Sequence, residues 1–328
     1  MAHPKTLRAT LGWLSALAAL LTVPAIAQDS SPEAGARTDA ATETPQAVDE
    51  VIVRGRRLSE IEADLRIYIN KFLTEVAAPA RGRGYARWHR QVCIGVHNLE
   101  ISAAQYVVDR ISSAAQDVGL EPGEPGCRPE VNILFTTNAS ETASLMVETE
   151  PRAFRPMAGY AGTDPGVDAL DEFVKSNRAV RWWHVSMPVG AHNRVNAIDE
   201  PGTRACADSP LCAPQVNVQG PSRIHSGTVD ELQYVIVVVD ATKLKGTTWQ
   251  QLGDYLAVIS LAQIDPKADL ADFDSILNLF SNPAAYSGLT DWDRSYLQAL
   301  YGYDQERSAR AAQNEIVSRI AKRELEDR

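Results

Sequence analysis

The sequence lacks an excess of positive charge and, beyond its first 27 positions, any long apolar stretch. Its 328 residues include 32 Lys and Arg against 42 Asp and Glu, a formal net charge of −10. A protein that binds nucleic acid by neutralising phosphates needs a basic surface, so that class is excluded. The apolar content of 45% is that of an ordinary globular protein, which also excludes collagen-like chains.

Several motifs that identify enzyme classes are also missing. The chain has no G-x-S-x-G nucleophile elbow, no G-x-x-x-x-G-K-[ST] phosphate loop and no G-x-G-x-x-G dinucleotide motif. No two histidines beyond position 27 have the i,i+4 spacing of a helical metal pair; they are His89, His97, His184, His192 and His225. We therefore predict no metal and no cofactor, while a metal site or a catalytic triad assembled only in space remains an alternative.

The first 27 residues have the pattern of a secretory signal peptide. A short basic start with Lys5 and Arg8 precedes an apolar stretch and a small-residue ending, Ala25-Ile26-Ala27. We predict cleavage before Gln28 and a periplasmic location without a membrane span; an uncleaved anchor is the alternative. Loss of Lys5 and Arg8 leaves 30 basic and 42 acidic residues, a net charge of −12. Residues 28–50 are poor in aromatic and large aliphatic residues, which predicts a flexible linker.

Residues 51–80 are predicted to form a short strand followed by an amphipathic lead-in helix. The segment Asp49–Arg57 resembles the "VIVTGRR"-like segment near the mature start of TonB-dependent outer-membrane receptors. A strand there would be offered to a periplasmic or envelope partner by edge addition, and the alternative is a shared export-region sequence without a partner. Apolar residues from Ile61 to Val76 recur at intervals of three and four, which predicts the helix.

Four cysteines follow the signal sequence, an even number that favours disulfides in an exported protein. Cys93 opens one predicted strand and Cys127 precedes another, so neighbouring parallel strands would bring them together. Cys206 and Cys212 close a short loop. We predict the pairs Cys93–Cys127 and Cys206–Cys212. A Zn(Cys)4 site is the competing interpretation, which the C-x5-C spacing of the second pair disfavours.

The hydrophobic pattern predicts an α/β (α+β) fold with a mixed sheet. A strand at 88–96, a helix at 101–118 with a Ser102–Gln105 capping box, and a strand at 131–136 form a parallel β-α-β unit. The unbroken apolar run Leu232–Val239 predicts a central strand covered on both faces. A second capping box at Thr248 begins a helix that is apolar nearly all round, which is typical of the centre of a domain.

The order of these elements, with two later motifs, resembles uncharacterised exported bacterial proteins related to zincin-type zinc metallopeptidases. The motifs are Asp274–Phe280 and Leu289–Tyr301, and the resemblance covers residues 85–303. It implies a single zincin-like domain with a central buried helix and a helical C-terminal part. Residues 304–328 are predicted to form a surface helix beyond it.

The resemblance departs from the family at the residues that would bind zinc. A zincin needs H-E-x-x-H on the central helix, because two imidazoles at i and i+4 face one metal. Here the helix has no His, and Asp254 is its single carboxylate. We therefore expect a catalytically inactive binding or scaffold protein; the alternative is a hydrolase or peptidase with a non-standard active site. The candidate binding residues are Trp182, Trp183, His184, Asp254 and Tyr255.

Overall fold

A four-stranded mixed sheet organises the chain, and the structure, a computed structural model, describes residues 46–77, 79, 84–155, 164–197 and 226–326. The strands are β1 (Gln91–Val92), β2 (Ile94–His97), β3 (Glu121–Pro122), β4 (Val131–Thr136), β5 (Val180–Gly190) and β6 (Thr228–Asp240). The helices are α1 (Gln46–Val76), α2 (Ile101–Asp117), α3 (Ala139–Thr149), α4 (Pro151–Phe154), α5 (Val167–Lys175), α6 (Trp249–Leu261), α7 (Asp291–Gly302) and α8 (Ala309–Glu326).

The sheet has the order β2-β4-β6-β5, with β2, β4 and β6 parallel and β5 antiparallel at the edge. The short strands β1 and β3 pair separately and in parallel. This mixed α+β architecture confirms the predicted fold class, including the parallel pairing of the strands on either side of α2. No helix among the described residues is long and apolar enough to cross a membrane.

Strand β6 is the central strand, as its apolar run predicts. Its residues Val235, Val237 and Val239 face a large core that also contains α2 and α6. Ile236 and Val238 face the opposite way, into a smaller core formed with α3, α4 and α5. Since successive side chains of a strand point to opposite faces, an uninterrupted apolar strand requires a helical layer on each side.

The large core extends beyond the predicted 85–303 boundaries. Helix α1 contributes Ile69 and Phe72 to it, and α8 contributes Ile316 and Ile320, all of them fully buried. The terminal helix is therefore exposed on one face only, and it begins at Ala309 rather than near 305. The count of large apolar residues in the sequence understates its buried face, because small residues are part of that face: Ala312 and Ala321 pack beside the isoleucines.

The N-terminal strand prediction is wrong, because residues 51–53 lie inside α1. A three-residue strand without a partner leaves its backbone hydrogen bonds unmade, whereas a continuous helix makes them internally. The described part of the predicted linker, 46–50, belongs to the same helix. The signal peptide, residues 28–45 of the linker, His225 and the Cys206–Cys212 pair lie outside the described residues.

Helix α2 begins two residues earlier than its predicted capping box at Ser102 implies. Its N-cap is Glu100, whose carboxylate accepts hydrogen bonds from the backbone N–H groups of Ser102 and Ala103. The buried face is centred on Val107, Ile111 and Ala115, while Ile101 is 84% exposed. The sequence analysis does not predict α3 and α4, because α3 is rich in Glu and Thr and has a weak apolar period, and α4 has only four residues.

The Cys93–Cys127 disulfide is present, as the parallel-strand argument predicts. The two Cα atoms are 6.1 Å apart, and the bond joins residues 34 positions apart. The turn between them approaches the bridge closely at Gly123, where a Cβ atom would lie 2.5 Å from the Cys127 sulfur. A side chain at that position would therefore collide with the disulfide.

Replacing both Cys93 and Cys127 by Ser should lower the free energy of unfolding by about 4 kcal/mol, the chain-entropy estimate for a loop of this length. Urea unfolding measures the loss, and the wild-type protein treated with reductant serves as its control. Peptide mapping without reduction should recover Cys93 joined to Cys127. A Cys127–Cys206 link would contradict the strand placement.

Candidate functional site

The Trp182-Trp183-His184 cluster is buried, so these side chains do not form an exposed binding surface. Although β5 is an edge strand, both of its faces are covered by helical layers. The two indoles do face opposite sides of the sheet, as expected. Trp183 packs against Phe154 and Phe173 in the smaller core, and its Nε1 donates to the Phe154 carbonyl at 2.7 Å.

The side chains on the other face of β5 bind the buried C-terminal end of α6. The last carbonyls of a helix have no partner within the helix, so a buried end needs donors from elsewhere. His184 Nε2 lies 2.8 Å from the Ile259 carbonyl. Two side chains from other segments donate to the next two carbonyls of the helix. Trp88 Nε1 donates to the Ser260 carbonyl and Tyr301 Oη to the Leu261 carbonyl, each at 2.7 Å.

This contact fixes the protonation state of His184. A carbonyl oxygen only accepts, so Nε2 carries the proton and Nδ1 keeps its lone pair. Burial lowers the pKa of His184 to about 4, which keeps the ring neutral at pH 7. Among the described residues Nδ1 has no hydrogen-bond partner.

Asp254 acts as a structural anchor between helices. Its Oδ1 accepts from Arg110 Nε of α2 at 2.9 Å, and its Oδ2 accepts from the Leu289 backbone N–H at 2.9 Å. The side chain is 1% exposed. The neighbouring Gly253 lets the helices approach, because a Cβ there would lie 2.9 Å from the Arg110 Cβ. These contacts leave Asp254 no free oxygen for a ligand.

Tyr255 and Trp182 line a cavity of about 480 Å³ that we call the cationic cavity. Its walls come from the chain entering β5, the β6–α6 connection, α6 and the loop after α6. The Tyr255 ring packs against Trp182 and Phe280 with centroid distances of 6.4 and 5.0 Å. Trp182 is itself fixed by a 2.9 Å hydrogen bond from Nε1 to the Ile264 carbonyl. The floor is therefore aromatic and rigid.

The charges around this cavity are mainly positive. Its described lining includes three cations and one carboxylate: Arg178, Lys243, Lys245 and Asp269. Lys243 is paired with Asp240 at 2.9 Å. Arg178 and Lys245 are exposed and form no ion pair with a carboxylate of the described chain. Burial raises the pKa of the Tyr255 hydroxyl, and the positive charge of Arg178 partly opposes that rise.

His184 lines a second cavity, of about 470 Å³, that we call the acidic cavity. Its described lining has four carboxylates against one ammonium: Asp164, Asp168, Glu172, Asp265 and Lys267. Pro266 lies in the walls of both cavities. Two cavities of opposite charge therefore adjoin the α6 side of β5, and Trp182 and His184, two positions apart, each line one.

The structure thus brings three of the five candidate residues to cavities and assigns two to packing. Trp182 and Tyr255 share the cationic cavity, His184 lines the acidic one, and Trp183 and Asp254 line neither. The cations at 178, 243 and 245 were not predicted, because they come from separate segments with no local motif. A basic pair directly after a buried strand, Lys243-x-Lys245, is the one signal that was available.

No three His, Cys, Asp or Glu side chains in the described part of the chain are grouped so that they could hold a metal ion. The comparisons with known proteins find no matching family model, no matching curated protein and no matching solved structure. The function is therefore inferred from the two cavities and from the sequence.

Replacing Arg110 by Met should lower the free energy of unfolding by about 2 kcal/mol, because Asp254 then remains buried with one donor and no counter-charge. Adding Asp254→Asn to that variant should recover part of the loss, since the amide carries no charge. Lys175→Met, which breaks an exposed pair with Asp171, is the control and should cost under about 0.5 kcal/mol. Equal losses in both single variants would refute the anchoring role.

His184 should make the protein less stable as the pH falls from about 6.5 towards 4. The unfolded chain takes up a proton at its ordinary pKa of 6.5, while the folded chain resists protonation down to a pKa of about 4. The difference amounts to about 3 kcal/mol lost across that window. Urea unfolding at several pH values should show a shallower dependence in His184→Gln. The exposed His192→Gln should keep the wild-type slope, and identical slopes in all three proteins would contradict the assignment.

Proposed function

We propose that this chain is an exported, non-catalytic binding protein that holds a small organic anion in the cationic cavity. The observation that carries the proposal is the Tyr255 side chain, 5% exposed, which lines the cavity without a hydrogen-bond partner for its hydroxyl in the described chain. A tyrosine hydroxyl that makes no hydrogen bond within the described chain can donate one to an occupant of the cavity. A ligand that accepts a hydrogen bond supplies that partner.

The charge around the cavity favours an anion. Arg178 and Lys245 are available, whereas Lys243 is largely neutralised by Asp240. A carboxylate or phosphate group accepts charge-assisted hydrogen bonds from such side chains, and it also accepts from a tyrosine hydroxyl. The protein as a whole is acidic, so this patch opposes the general charge of the molecule.

The aromatic side chains that line the cationic cavity indicate that the ligand also has an apolar part. Trp182, Tyr255 and Phe280 present ring surfaces, and Leu277 adds an aliphatic wall. A volume of about 480 Å³ lies within the range of small-molecule sites, which combine apolar walls with a few polar groups. An anion with a flat or branched apolar group therefore suits the cavity better than a bare inorganic ion.

Export and the absence of catalysis are parts of the same proposal. The sequence of the first 27 residues and the disulfide both favour an oxidising compartment outside the cytoplasm. The single carboxylate of α6, Asp254, is held by Arg110 and does not line the cavity. The likeness to a zincin scaffold is part of this proposal, with α6 at the position of the helix that binds zinc in zincins.

The test uses three probes that share a phenyl group and a three-carbon chain and differ in the terminal group, which is anionic, neutral or cationic: 3-phenylpropionate, 3-phenylpropanamide and 3-phenylpropylammonium. Titration calorimetry and thermal shift should show the carboxylate binding more tightly than the amide, by about tenfold for each 1.4 kcal/mol gained. Lys245→Glu should remove most of this preference. Lys322→Glu, a charge reversal at an exposed position of α8, should leave it unchanged. Equal affinity for the acid and the amide would overturn the proposal.

Tyr255→Phe separates the binding role from a structural role. The ring keeps its contacts with Trp182 and Phe280, and no hydrogen bond within the described chain is lost. Stability without ligand should therefore be unchanged or slightly higher, while affinity for 3-phenylpropionate should fall about fivefold, the value of one hydrogen bond. A loss of stability with unchanged affinity would show that the hydroxyl serves the fold.

A further inference from the structure

We propose that the acidic cavity beside His184 is a second binding site, which takes an organic cation with several N–H groups, a guanidinium or an alkylammonium ion. This inference does not depend on the anion site. It rests on acceptors that line one cavity and lack donors from the described chain.

The first acceptor is His184 Nδ1. Its ring is held by the Nε2–H donation to Ile259, so the lone pair on Nδ1 has a fixed direction and does not turn away. The imidazole is buried, and it is neutral at pH 7. A neutral nitrogen acceptor suits an N–H donor and does not repel a cation.

The second acceptor is Asp164, whose side chain is 4% exposed. Its Oδ1 accepts from the Gly166 backbone N–H at 2.9 Å and lies 3.4 Å from Arg155 Nε. Its Oδ2 is buried and has no hydrogen-bond partner. A buried carboxylate oxygen left without a donor is unusual and costly, so it points to a missing donor.

The remaining charges agree with a cationic occupant. Asp168 and Glu172 lie one turn apart on α5, both line the cavity, and neither forms an ion pair with the described chain. Asp265 adds a fourth carboxylate, and its Oδ1 accepts from the Lys267 backbone N–H at 2.8 Å. Lys267 is the one cation of the lining, and the Arg155 pair with Asp164 leaves the balance negative.

Size and ligand geometry separate an organic cation from a metal ion. The cavity of about 470 Å³ is far larger than a metal ion needs, and no three of its acidic or imidazole groups are close enough to share one. A guanidinium ion has five N–H donors in a plane when one nitrogen is substituted, and it bridges acceptors that lie apart. Its planar apolar faces also tolerate the walls formed by Pro79, Pro165 and Pro266.

The experiment titrates the full-length protein with butylguanidinium, butylammonium and the neutral control butyramide. Calorimetry should show binding of the two cations and none of the amide. The double variant Asp168→Asn with Glu172→Gln should weaken butylguanidinium by about tenfold, a loss of the size expected for two partly exposed charges. The matched control is Asp171→Asn on the same helix, where the carboxylate faces solvent and pairs with Lys175; its affinity should stay within about twofold of wild type.

A second readout reports on His184 without altering it. Nitrogen-15 spectra of the imidazole should show a protonated Nε2 and an unprotonated Nδ1 in the free protein, with Nδ1 moving upfield when butylguanidinium binds. Lys245→Glu should not change this response, which keeps the two sites distinguishable. Three results would each overturn the proposal. They are equal effects of Asp171→Asn and of the double variant, an Nδ1 signal that does not move, and binding of calcium ions but of neither organic cation.

Discussion

The buried C-terminal end of α6 is the constraint on which the arrangement of this protein depends. A helix that ends inside a core must find partners for its last carbonyls among side chains, because water is excluded. Here the carbonyls of Ile259, Ser260 and Leu261 accept hydrogen bonds from the side chains of His184, Trp88 and Tyr301, respectively. These three donors come from β5, the segment before β1, and α7. One helix end therefore fixes the relative position of parts of the chain that lie more than 200 residues apart in sequence.

The two-sided burial of β6 sets the rest of the architecture around that end. An apolar central strand requires a helical layer on each face, and the chain meets this with α6 on one side and α3 to α5 on the other. Strand β5 then lies between the layers, so Trp183 contributes to one core and Trp182 to the other. The polar side chain of His184 can be buried in β5 because its Nε2–H donates a hydrogen bond to the Ile259 carbonyl at the end of α6.

These two constraints differ in how visible they are in the sequence. The apolar run of β6, the capping box of α6 and the Cys93–Cys127 pair follow from local pattern and spacing, and the structure confirms them. The packing role of Trp183 and the hydrogen bond of His184 to a distant helix end leave no local signature in the sequence. The Glu100 cap was missed for another reason: Glu is an uncommon N-cap, and Ser102 offered the standard pattern. The cations of the cationic cavity come from two separate segments, so no local motif in the sequence predicts that they lie together.

The same helix end also explains why cavity-lining and packing residues are neighbours on β5. Trp182 and His184 point to the α6 side, and each is held by a hydrogen bond to a carbonyl at or just beyond the end of α6, Ile264 and Ile259. Groups held in this way cannot reorganise without exposing a buried carbonyl, so the walls they form are set before any ligand arrives. Rigid walls limit the entropy lost on binding, which favours small ligands with few contacts. A polar group that folding leaves without a partner on such a wall, the Tyr255 hydroxyl or the Nδ1 of His184, is then available for recognition.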